Sequence, residues 1–161
     1  PELDEAEILL NNKKIILLIN CGSKMTTVNA ARLMSIKNAQ SGKTSLICDT
    51  SGNFENDFKE KNVVEISGIK IAKSEYGFDF LHHFKATAFF TAANFTKDIQ
   101  KLSNSYDQIY ICSTCSNSTA GLLALKSLNT VIVLLTRLRK TRKSDILRIK
   151  SILPISLIFN D

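Results

Sequence analysis

Apolar and polar positions alternate along the chain in short blocks. An apolar run at residues 15–19, IILLI, leads into a polar turn at 20–26, a helical stretch to about Gln40, and a second apolar run ending on Asp49. Short runs of β-branched and aliphatic residues bounded by turn formers read as buried strands, so this segment predicts a strand, loop, helix, strand unit. Residues 1–14 are a polar flank with a short helical possibility over 3–10.

Downstream, residues 50–61 are rich in Ser, Gly, Asn and charge and predict a loop with a short helix near 54–58. Residues 63–66 and 69–72 flank Ser67-Gly68, which predicts a short strand pair or one broken strand. Residues 76–88, with Gly77, His82-His83 and four aromatics, have no clean period and read as irregular with helical pieces. Phe89, Ala92, Phe95, Ile99 and Leu102 then recur at spacings of three and four, the pattern of a helix with one buried face. Tyr106-Asp107 introduces a strand at 109–112, and a polar turn at 113–119 opens a helix through Leu128. A strand at 131–135 follows. Thr141 or Ser144 is placed to cap a helix with Ile146, Ile149 and Leu153 on one face; Pro154 stops it, and 155–159 is the last strand.

This alternation predicts a single α/β domain, a doubly wound and mainly parallel sheet with helices on both faces. In such sheets ligands bind beyond the carboxyl ends of the strands, where the winding reverses. The ends to inspect are residues 20–27, 49–51 and 112–115, Arg137 and Asn160.

Composition adds limits. At 161 residues, 44% hydrophobic and 22% charged, the chain can bury one ordinary core. Its longest apolar runs, about five residues, are far short of a membrane span, and its acidic start lacks the order of a signal peptide. A cytoplasmic domain is expected. The four cysteines at 21, 48, 112 and 115 lie in or just after strand-like runs, where reduced thiols are expected. Part of the +6 net charge is concentrated at residues 137–143, which makes Arg137, Arg139 and Arg142 anion-binding candidates; a solvated loop is the alternative.

Among chemistry-bearing residues, Asp49 at a strand end is a candidate carboxylate, with a turn-capping role as the alternative. Cys112 and Cys115 form a C-x-x-C pair and are candidate metal ligands, against a role as small buried hydrophobes. His82 and His83 point about 100° apart on a helix and are poorly placed to share a metal. Ser23, Ser113 and Ser116 have no identifiable base partner. Phe78, Phe80, Phe84, Phe89, Phe90 and Phe95 lie mostly outside the basic cluster and are assigned to core packing, so nucleic acid is not an expected partner.

Four stretches in order give a further reading: Gly42-Lys43-Thr44-Ser45-Leu46-Ile47-Cys48-Asp49, a Gly-Lys step into an apolar strand ending in Asp; Tyr106-Asp107 before an apolar strand; residues 131–137 ending in Arg137 with Lys140-Thr141 beyond; and residues 154–160 ending in Asn160. Together they resemble the cytoplasmic kinase-like domain of bacterial polysaccharide co-polymerases, the bacterial tyrosine kinases, which are relatives of the partition and septum-site ATPases with a deviant Walker A loop. The resemblance implies a P-loop fold, ATP or ADP with Mg²⁺ as cofactors, and a nucleotide site at Gly22, Ser23, Lys24, Met25, Thr26 and Thr27, with Asp49 in the second Walker motif and Asn160 near the base.

The sequence also departs from that pattern. The family loop reads Gly-x-Gly-Lys-Ser/Thr-Thr. Here Lys24 replaces the second glycine, Met25 the lysine, and Cys112 the Walker B aspartate, while Ser51 stands where a second acidic residue is frequent. The loop lysine neutralises the terminal phosphates and the acidic groups hold the metal, so a catalytically degenerate domain is expected. It would regulate or scaffold surface polysaccharide synthesis or export beside the inner membrane, as part of a longer membrane protein. Its partners would be other assembly proteins, its own membrane segments or further copies of itself. The alternatives are an active kinase or ATPase with Lys24 substituting in the loop, and a partition-type relative using the basic cluster on nucleic acid or lipid.

Overall fold

The computed structural model describes residues 8–50, 62–81, 95–116, 123, 126–128 and 130–161. The opening unit is as predicted: strand β1, Ile15–Cys21, then helix α1, Thr27–Gln40, and strand β2, Ser45–Asp49. Strands β3, Asn62–Ile66, and β4, Ile69–Lys73, form an antiparallel hairpin about Ser67-Gly68. Next come β5 (Asp79–Leu81), α2 (Phe95–Leu102), β6 (Gln108–Thr114), β7 (Val131–Thr136), α3 (Lys143–Ile152) and β8 (Leu157–Asn160).

All eight strands join one sheet in the order β3-β4-β5-β2-β6-β1-β7-β8. From β5 to β8 every pairing is parallel, and the β3–β4 hairpin extends one edge with antiparallel pairings. Strand β1 lies at the centre between β6 and β7. The chain goes from β1 to β2 and the β3–β5 edge, returns to β6 between β2 and β1, and then crosses β1 to β7 and β8, so the winding reverses at the carboxyl end of β1.

Strand alternation divides the core in two. Ile16, Leu18, Ile47, Tyr110, Cys112 and Val133 face α1, where they pack with Val28, Ala31 and Met34. Leu17, Ile19, Cys21, Leu46, Ile109 and Leu134 face the other way, against Ile99 and Leu102 of α2 and Ile149 of α3. The sheet is therefore covered on both faces, as its near-continuous apolar central strands require.

Three sequence expectations change. Residues 79–81, read as part of an irregular stretch, are the strand β5, which pairs with β2 through Leu46↔Asp79 and Ile47↔Phe80. Three residues are too few to display a period, and it is pairing with a buried neighbour that fixes them. Neither Thr141 nor Ser144 caps α3: Arg142 holds the cap position and makes no side-chain cap bond. The last strand begins at Leu157 rather than Ile155. The short helix expected near 54–58, His82-His83, Phe84, Phe89, Phe90 and most of the helix opened at 113–119 lie outside the described residues. Of the aromatics assigned to the core, Phe78, Phe80 and Phe95 are buried.

Candidate functional site

The carboxyl ends of the parallel strands gather the residues singled out from the sequence. Between β1 and α1, the loop at 22–27 is shaped by side chains before and within it. Asn20 Oδ1 accepts the backbone N–H groups of Gly22 and Ser23, each at 2.9 Å, and its Nδ2 donates to the Met25 carbonyl at 3.2 Å. Gly22 sits at φ +99°, a conformation that side chains disfavour, and a Cβ there would lie 3.2 Å from Thr141 Oγ1. Thr26 is the N-cap of α1, its Oγ1 accepting the Asn29 N–H at 3.1 Å.

Two of the loop's positions differ from a phosphate loop in what they offer. Lys24 is exposed at the rim, and Met25 packs against the α1-side core with its thioether. The Lys24 N–H donates to Asp161 Oδ2 at 3.0 Å, the Met25 N–H is shared between Ser23 Oγ at 3.0 Å and the same Asp161 oxygen at 3.4 Å, and Ser23 Oγ donates to that oxygen at 2.6 Å. The Ser23 hydroxyl, these two amides and the nearby Arg137 charge hold the Asp161 carboxyl below the usual carboxylate range. An open groove of about 500 Å³ runs beside the loop, lined by Lys24, Met25, Asn29, Arg32, Leu33, Ile36 and Asp161.

Behind the loop, Thr141 donates its hydroxyl to the Cys21 carbonyl and accepts the Arg137 N–H at 2.8 Å. That commitment explains why Thr141 does not cap α3. Arg137 thus stands at the loop, whereas Arg139, at φ +61°, and Arg142 are exposed on the turn beyond it. Asn160 Oδ1 accepts the hydroxyl of Thr136, the β7 residue that bridges to Gly22, at 3.2 Å.

Asp49 ends β2 opposite Cys112 of β6 and is buried. Cys112 accepts a hydrogen bond from the Thr27 side chain, yet burial, then the Asp49 charge, push its thiol well above the ordinary range, so it is neutral at physiological pH. Cys112 faces the α1 side of the sheet and Cys115 packs on the other, so the C-x-x-C residues do not converge as a ligand pair. Among the described residues no group of three His, Cys, Asp or Glu could hold a metal ion. Cys115 instead meets Cys21: their side chains are hydrogen-bonded, and burial, with the neighbouring Cys115 thiol second, pushes Cys21 up to about 12.

Sequence reasoning placed Asn20 among the ends to inspect without reading its role, and it missed Asp161. Asn20 was readable as the side chain before a glycine turn, where an Asx bond to following amides is common. Asp161 carried no local signal, because its role depends on β8 lying beside β7.

A mainly parallel sheet with a glycine-bearing loop between its central strand and a capped helix is an α/β fold of P-loop-like form. The fold is similar to that of bacterial tyrosine kinase domains. The VpsO kinase domain superposes with TM-score 0.73 over 98% of this chain and 90% of its own, at 13% identity. The kinase domain of the Escherichia coli tyrosine kinase ETK gives 0.70 over 98% and 71%, at 10% identity. A ParA family ATPase from Chlorobium tepidum gives 0.56 over 92% and 72%, at 14% identity. No protein-family model matches the chain, and no curated protein matches it in sequence. Among the described residues no helix is long and apolar enough to cross a membrane.

Proposed function

We propose that the chain is a kinase-like domain of a polysaccharide co-polymerase that has lost phosphoryl transfer and acts as a regulatory or scaffolding module in surface polysaccharide synthesis or export. The observation that carries this reading is the chemistry of the loop. Phosphoryl transfer depends on a cation at the terminal phosphates and on carboxylates around Mg²⁺. Met25 offers no charge at the lysine position, Thr26 Oγ1 caps α1, and the Walker B position is the neutral thiol of Cys112. This donor set does not fit Mg²⁺-nucleotide, although Asp49 is a buried carboxylate paired in register with Cys112. The fold shared with tyrosine kinase domains, together with the ordered motifs from Gly42 to Asn160, supports the family placement.

The module would work on the cytoplasmic side of the bacterial plasma membrane, contacting other assembly proteins, adjoining membrane segments or further copies of itself. Calorimetry with ATP and Mg²⁺ tests the reading. Absence of binding at millimolar nucleotide is expected. Micromolar binding that disappears in Lys24→Ala would establish instead an enzyme with a rearranged loop.

A further inference from the structure

Asp161 reaches the loop because its backbone is fixed. Its N–H donates to the Thr136 carbonyl at 3.0 Å, and its own carbonyl accepts the Leu138 N–H at 3.4 Å, continuing the β7–β8 ladder. The side chain so placed bridges to a loop 136 to 138 residues earlier in the chain.

Successive backbone N–H groups at the start of a helix make a concavity for anions. Here the concavity contains a carboxylate of the chain itself, with Arg137 adding positive potential. Asn20 holds the loop from behind through bonds that do not involve Asp161, so the concavity keeps its shape when the carboxylate leaves.

We infer that Asp161 is an internal, autoinhibitory anion: its carboxylate occupies the amide nest of Lys24 and Met25, and an oxyanion ligand enters only by displacing it. The inference rests on reading residues 22–27 as a loop of phosphate-binding shape. A ligand's apparent affinity falls by the fraction of time its site is free. Removing the tethered competitor therefore tightens oxyanion binding.

The test is titration of the whole chain with inorganic pyrophosphate, without metal, by calorimetry and by the ¹⁵N amide resonances of Lys24 and Met25. Asp161→Ala is expected to bind pyrophosphate about tenfold more tightly than the wild type, with shifts centred on those two amides. Asp161→Asn, which keeps the shape but not the charge, is expected to gain less. Because Asp161 is exposed, neither variant threatens the core. Equal affinity in wild type and Asp161→Ala, or binding that leaves the two amides unmoved, overturns the inference while leaving the proposed function intact. ATP turnover by the wild type overturns that function; a tenfold rise in pyrophosphate affinity on removal of Asp161 would still uphold the inference.

Discussion

Asn38 on α1 donates its side-chain amide to Gln108 Oε1 on β6 across 2.6 Å, and the same nitrogen lies within 3.0 Å of Ser45 Oγ and 3.1 Å of Tyr110 Oη. Gln108 passes the connection on, its Nε2 donating to the Leu10 and Lys13 carbonyls at 2.7 and 3.0 Å. A buried polar network thereby fixes the end of α1 against two strands and the chain before β1. Buried groups deprived of a partner cost about 1–3 kcal/mol each. Asn38→Leu is therefore expected to destabilise the fold by about 1–3 kcal/mol in urea unfolding monitored by circular dichroism. An unchanged midpoint would refute the network's role.

Asp107 clamps the same, amino-terminal end of β2. Its Oδ2 accepts the Thr44 N–H at 2.7 Å and the Thr44 hydroxyl at 3.1 Å, and these bonds hold its carboxyl below the usual range. A group whose folded pKa is depressed stabilises above its unfolded value and loses that contribution as pH falls through the folded one. Wild type should thus be more stable than Asp107→Asn at pH 7, with the difference shrinking below about pH 4. Parallel thermal melts from pH 7 to pH 3 measure it, and a gap that widens in acid would contradict the assignment.

Where the sequence was informative, one element carried its own pattern. The run at 15–19, the helix to Gln40 and the strand ending on Asp49 each show a period or a burial run long enough to read, and each stands where predicted. β5 failed that test because its three residues are held by pairing with β2. The site shows the same limit. Gly22 and Thr26 were named only as positions of the loop that the resemblance implies; their positive φ and N-cap roles come from the structure. The sequence pointed to Asn160 at the end of β8, which bonds Thr136 beside Gly22; that the next residue, Asp161, bonds the loop itself depends on the tertiary arrangement and had no local signal.

Burial ranks the four cysteines. Cys21, Cys48 and Cys112 are buried and their thiols are pushed up chiefly by that burial, whereas Cys115 is partly exposed. Because the thiolate is the reactive form, an aromatic disulfide reagent at pH 8 is expected to modify Cys115 alone. Mass spectrometry should locate the adduct there, and Cys115→Ser should abolish the fast phase. Rapid labelling of Cys48 or Cys112 in the folded chain would count against the packing described for β2 and β6.

The exposed turn of Arg139, Lys140, Arg142 and Lys143 separates the scaffold reading from a partition-type one. Electrostatic binding to DNA or anionic vesicles falls steeply with salt. The scaffold reading expects only weak association, changed less than about twofold by the double variant Arg139→Gln, Arg142→Gln at 150 mM salt. A much larger loss of affinity, with a steep salt slope, would favour the partition-type alternative.

Gly22 joins conformational and steric requirements at one position. Its φ of +99° is a conformation that side chains rarely adopt, and an added Cβ would lie 3.2 Å from Thr141 Oγ1. That hydroxyl cannot easily withdraw, since it bonds both the Cys21 carbonyl and the Arg137 N–H. Gly22→Ala should therefore cost about 1–2 kcal/mol for the backbone conformation alone, with any displacement of Thr141 added. If the loop yields rather than the Thr141 contact, Asp161 should lose its hold on the Lys24 and Met25 amides. Faster hydrogen exchange at those two amides, with exchange unchanged in the central strands, is the expected signature. A variant as stable as wild type, with both amides equally protected, would show that residues 22–27 are not held in the manner described.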